Sequence, residues 1–174
     1  MHSHSLFRSA ALALAVSFAL AAPLAMASGN APAATDGAPA GVQRQAVAKG
    51  LYELAYSPSQ QALFVASSGG FGDDAGPAQV LRLDPRTLAV QARIPLERKA
   101  FGVVLDDSNH RLYVGNTVDT SVTVVDTAQG MAIGTVQLME KVTGSDGKPR
   151  YSHDLRELVV DAPNRRLYVT GHSQ

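Results

Sequence analysis

An all-β fold of repeated four-stranded antiparallel units is what this sequence predicts, on three observations. First, a unit recurs. "ELAYSPSQQALFVAS" from Glu53, "GVVLDDSNHRLYVGN" from Gly102 and "ELVVDAPNRRLYVTG" from Glu157 align on Leu63-Phe64-Val65, Leu112-Tyr113-Val114 and Leu167-Tyr168-Val169. Second, the runs around that core are short and rich in β-branched and aromatic residues, with Ser, Asp, Pro and Asn between them to supply hairpin geometry. Third, "QVLRLDPRTLAVQARIPL" from Gln79 and "SVTVVDTAQGMAIGTVQL" from Ser121 follow the first two copies in step, each a strand, an Asp-anchored turn and a strand. Four strands per unit, with every unit ending where the next begins, describe the blade of a β-propeller.

Taken in order, the chain opens with Arg8, an apolar run from Ala10 to Ala22, and small residues at Ala25-Met26-Ala27. This is the pattern of a cleaved secretory signal over 1–27, and the run is shorter than the roughly 20 residues that span a bilayer. Residues 28–41 are Ala, Pro, Gly and Ser with little else, a flexible leader with nothing to bury. Val42 to Ala48 reads as a short strand. Blades are then expected over about 50–96 and 99–138, with an incomplete one over 155–174. Each opening hairpin reads as buried on both faces, because its runs are apolar without a break. The units recur 49 and 55 residues apart, from Leu54 to Val103 to Leu158. The usual blade has about 40–45 residues, and two insertions account for the excess: "GGFGDDAG" within the first unit and "MEKVTGSDGKPRYSHD" between the second and third. A ring closes with about four to eight blades. Two and a half therefore read as the N-terminal fragment of a larger propeller, a truncated reading frame or a partial gene product.

Composition narrows the function classes. The 174 residues carry 15 Lys and Arg against 15 Asp and Glu, and loss of Arg8 with the signal leaves 14 against 15. A near-neutral surface gives no case for nucleic-acid binding by bulk charge, although a local basic patch remains open. There is no cysteine, so disulfides, thiolate metal sites and Cys nucleophiles are excluded. An exported, cysteine-free chain suits the periplasm of a Gram-negative bacterium.

Tyr168-Val169-Thr170-Gly171 and Tyr113-Val114-Gly115-Asn116 resemble the YVTN β-propeller repeat family, and Phe64-Val65-Ala66-Ser67 is a more distant copy. The wider stretches "KGLYELAYSPSQQALFVAS", "FGVVLDDSNHRLYVGNTVDTSVTVVD" and "RELVVDAPNRRLYVTG" are similar to the opening blades of YncE-like periplasmic proteins. The resemblance covers about 42–174. It implies a seven-bladed ring when complete, export, and a monomer. It also implies a binding scaffold, with single-stranded DNA among the proposed ligands, while distant propeller relatives include quinone- and haem-dependent enzymes.

In a propeller the innermost strands line the channel, and the residues that lead into them shape one face of the disc. Aromatic residues beside cations at those positions suit stacked bases and bound phosphates. Lys49, Tyr52, Lys99, Phe101 and Arg156 are therefore ligand candidates, with interblade packing of Tyr52 and Phe101 as the plainer alternative. Arg150 and Tyr151 join them from the long insertion Met139 to Asp154, which also holds Lys141, Lys148 and His153. Glu140, Asp146 and Asp154 offset its charge. His153, Asp154 and Glu157, or His110 and His172, are ligand types for a metal but form no dense motif, so no metal site is expected. No Gly-Lys-Ser/Thr loop and no Gly-x-Ser-x-Gly elbow occurs. Asp84, Asp106, Asp126 and Asp161 fall at turns, where a carboxylate bonds backbone N–H groups. The expected function is a non-enzymatic, cofactor-free scaffold with an unknown ligand on the channel face and no membrane contact after signal cleavage. A lactonase-like or cofactor-dependent propeller enzyme and a surface-layer protein are the alternatives.

Overall fold

A computed structural model describes residues 41–173, so the signal over 1–27, the leader up to residue 40 and Gln174 lie outside the described residues. The first sheet consists of β1 (Leu51–Ser57), β2 (Ala62–Ser67), β3 (Gln79–Leu83) and β4 (Val90–Pro95), bonded in chain order. The second repeats it with β5 (Val103–Asp106), β6 (Arg111–Asn116), β7 (Ser121–Asp126) and β8 (Met131–Gln137), with a 3₁₀ turn at Thr117–Asp119. A small hairpin, β9 (Val142–Thr143) and β10 (Pro149–Arg150), precedes a last one, β11 (His153–Asp161) and β12 (Arg166–Ser173). All pairs are antiparallel, as tight turns between consecutive strands require. Two meander sheets and the opening hairpin of a third are the two and a half blades of a β-propeller.

The repeat explains itself locally. Gln61, His110 and Arg165 occupy equivalent turn positions with φ of 46°, 54° and 53°, a left-handed step that turns the chain into β2, β6 and β12. The four turn aspartates bond as anticipated. Asp84 accepts the Arg86 and Thr87 N–H groups at 2.9 Å each, and Asp126 accepts those of Ala128 and Gln129 at 3.0 and 2.8 Å. Asp106 and Asp161 accept the Asn109 and Asn164 N–H groups. The Leu-aromatic-Val core sits in the second strand of each blade, which in the two full sheets has ladder partners on both edges. Phe64, Leu112 and Val114 are fully buried there.

Burial is arranged by seam. Phe64, Ala66, Val80 and Ile94 of the first sheet pack against Val103, Leu112, Val114 and Val125 of the second. The opposite face of the first sheet holds Val65, Leu81 and Leu83, with Val47 and Ala48 laid over it. Fully burying one such side chain stabilises by about 1.5–3 kcal/mol, so these seams carry the fold.

Two expectations are corrected. Residues 42–48 form no strand: the segment crosses a sheet face rather than joining an edge, so it finds no ladder. Arg93 Nη2 donates to the Val47 carbonyl at 3.2 Å and Gln43 Nε2 to that of Thr87 at 3.1 Å. The second opening hairpin, β5–β6, has no exposed residue, but the first and the last are not buried on both faces. Leu51, Tyr52, Leu54 and Tyr56 of β1 are exposed, as are most residues of β12. Among the described residues neither strand has a sheet neighbour on its outer edge.

Candidate ligand site on the loop face

A meander puts the β1–β2 and β3–β4 turns at one end of a sheet. The β2–β3 connections and the links between sheets fall at the other end. Lys49, the glycine-rich connection 68–78, the link 96–102, the turn 117–120 and the β9–β10 arm therefore share the loop end of the sheets. The last residues of β2 and β6 fix the approach to the inner strands. Ser67 Oγ donates to the Lys49 carbonyl at 2.7 Å, and Asn116 Nδ2 donates to the Lys99 carbonyl at 3.2 Å. Asn116 is fully buried, and its amide oxygen accepts the Ser121 and Thr123 hydroxyls.

Where the inner strands begin, a cavity of about 460 Å³ opens between Tyr52, Phe101, Thr117, Leu155 and Arg156, with Glu53 and Glu157 also lining it. Tyr52 and Phe101 meet across the two sheets edge to face, with ring centroids 4.6 Å apart at 72°. This is the attractive geometry of an aromatic pair. Phe101 is 8% exposed, whereas Tyr52 is 57% exposed. Glu53 Oε2 accepts the Val103 N–H at 2.9 Å and so joins β1 to β5. The backbone approach is close. A Cβ on Gly102 would lie 3.1 Å from Leu158 Cδ1 and 3.2 Å from Glu53 Oε2.

The cations are placed unequally. Arg156 stands at the cavity rim, its Nε donating to His172 Nδ1 at 3.2 Å. Lys49 pairs with Asp74 at 2.7 Å, both side chains largely exposed, a contact worth about 0–1 kcal/mol. Lys99 is turned onto the glycine-rich connection, where its ammonium donates to the Ser68 carbonyl at 3.2 Å and to the Gly70 carbonyl. Arg150 pairs with Asp146 across its own hairpin, and Tyr151 faces Lys141, whose Nζ is 5.3 Å from the ring centroid. So Tyr52, Phe101 and Arg156 come together, Lys49 and Lys99 flank them, and Arg150 and Tyr151 form contacts of their own on the arm. Sequence reading missed Thr117 and Leu155, which line the cavity, and Phe71, whose ring centroid lies 6.3 Å from that of Phe101. The signal for Phe71 was available: a lone aromatic in a glycine-rich link between a second and a third strand must lie at this end. Among the described residues no three His, Asp or Glu side chains are placed to hold a metal ion.

The chain has relatives among known proteins. The uncharacterized protein YncE of Escherichia coli K12 is 37% identical over 128 residues, 74% of this chain and 35% of the relative, and that of Salmonella typhi is 35% identical over the same span. The chain is a YncE homologue. It spans about a third of the length of the YncE proteins it matches. No family model matches it. Among solved structures, a chain of Kuenenia stuttgartiensis hydrazine synthase aligns with a TM-score of 0.45 at 21% identity, over 76% of this chain and 38% of that one. Citrobacter koseri AztD aligns at 0.40 and 18%, over 74% and 43%.

Proposed function

We propose that this YncE-like chain is part of an exported, non-enzymatic scaffold that binds a flat-ringed ligand on its loop face, with single-stranded DNA as the first candidate. The observation that carries the reading is the Tyr52–Phe101 pair at the mouth of the cavity, with Arg156 at its rim. A buried ring under a half-exposed one is a fixed platform. Stacking a base on an aromatic face is worth about 1–3 kcal/mol and tolerates any base. Arg156, and Lys49 once released from Asp74, lie within reach of a backbone that runs past the platform. The signal-like N-terminus supports export to the periplasm. The test is anisotropy of a labelled oligo-dT at low salt. Binding is expected to weaken as salt rises, and Tyr52→Ala is expected to weaken it roughly ten-fold. No binding at low salt removes the DNA reading.

A further inference from the structure

We infer that Phe71 is a ligand-contacting wall of this site and that Lys99 is the positioning residue that presents it. The inference rests on the reading that flat rings bind on the loop face. Phe71 lies in the connection between β2 and β3, 57% exposed, and its ring centroid is 6.3 Å from that of Phe101 at a tilt of 30°. Tyr52, Phe101 and Phe71 thus form a row in which two exposed rings flank a buried one.

An exposed aromatic residue is ordinary by itself; this one is held in place. Gly69, Gly70 and Gly72 take φ of 76°, 84° and 85°, a path that side chains resist. The Gly76 N–H closes the base of the connection on the Gly69 carbonyl at 2.8 Å, and a Cβ on Gly69 would overlap the Gly76 carbonyl. Lys99 reaches this base from the link to the next sheet. Its ammonium donates to the Ser68 and Gly70 carbonyls and stands 4.7 Å from the Phe71 ring centroid. Two carbonyls and a ring face satisfy that ammonium. It meets a phosphate only by letting the connection go. Its influence on a ligand therefore passes through Phe71.

The mechanism separates from direct phosphate contact in a salt titration of oligo-dT affinity. Phe71→Ala is expected to weaken binding roughly ten-fold. Lys99→Met should weaken it comparably, while the slope of log affinity against log salt stays that of the parent. Loss of a direct phosphate contact would instead flatten that slope by about 0.7. In a Phe71→Ala background, Lys99→Met should cost nothing more, and Lys99→Arg should retain affinity in the parent. A flattened slope, or two losses that add, overturns the inference. If the parent protein binds no oligo-dT, the DNA reading fails and the positioning role is judged separately. The chain has no tryptophan, so Phe71→Trp introduces a single indole, excited selectively apart from the tyrosines. Adding Lys99→Met should shift its emission to the red, and unchanged emission overturns the role.

Discussion

At the scale of single residues, Asp107 joins the first two blades at the end of the sheets opposite the ligand site. Its carboxylate accepts the Ser57 hydroxyl, the Ser59 hydroxyl at 2.9 Å and the Ser59 N–H at 3.0 Å, all from the turn of the neighbouring blade. The Ser57 hydroxyl, ahead of the Ser59 donors and His110, holds the Asp107 carboxyl below its ordinary value of 3.8, outweighing partial burial. A carboxyl depressed in the folded state favours folding above its unfolded value, and the contribution disappears as pH falls through the folded one. The window therefore lies below pH 3.8. Asp107→Asn is expected to cost about 1–2 kcal/mol near neutral pH, since one charged acceptor of several bonds is lost. Urea midpoints of both proteins should converge as pH falls below 3.8 and through the folded value. A gap independent of pH would assign the loss to packing instead.

At the scale of elements, the last hairpin docks through Leu158, beside buried Leu155 and a bond from the Thr120 hydroxyl to the His153 carbonyl at 2.6 Å. Leu158 of β11 presses Cδ1 toward two backbone positions of the second sheet: a Cβ would meet it at 3.1 Å on Gly102 and at 3.0 Å on Gly115. Gly115→Val should destabilise by about 1–3 kcal/mol through overpacking. Most of that penalty should vanish in a Leu158→Ala background, in a double-mutant cycle read from denaturant midpoints. The glycine in Tyr113-Val114-Gly115-Asn116 departs from the family tetrad, yet its sequence neighbours contain no hint of a leucine from the next blade. The same division runs through the molecule. Strands and turns were legible because their causes are local: Leu-aromatic-Val runs, Asp anchors and turn residues. The exposure of β1 and β12 was not, since burial depends on what lies beside a strand and the residues of the strand do not record it. The segment 42–48 has strand-like composition, but only the face it crosses decides that it forms no ladder. At the site, Tyr52, Phe101 and Arg156 could be found by repeat position. Lys99 read as a cation open to ligand, because the carbonyls that hold it belong to a connection some 30 residues earlier.

At the scale of the whole described region, the two seams differ in completeness. The first is closed along its depth, with Val80 and Ile94 of β3 and β4 packed into it. In the second only β11 and β12 face the sheet, and a cavity of about 510 Å³ remains between Val122, Val124, Val136, Leu138, Val160 and Leu167. Val136 is 53% exposed, and Arg165 and Arg166 stand beside these apolar walls. Uncovered apolar surface of this kind favours association, because burying it against a like surface removes it from water. β8 adds a free edge without a charged residue, which presents unpaired backbone groups with nothing to deter another strand. This 174-residue chain is therefore expected to brighten an apolar dye and to gain mass with concentration in light scattering. Val136→Lys places a charge on both the wall and the edge strand, and should reduce dye binding and association together. The position is half exposed, so folding stability should change by less than about 1 kcal/mol. A protein that stays monomeric and dark to the dye before any substitution would show that this seam closes more tightly in solution than the packing of β11 and β12 alone accounts for.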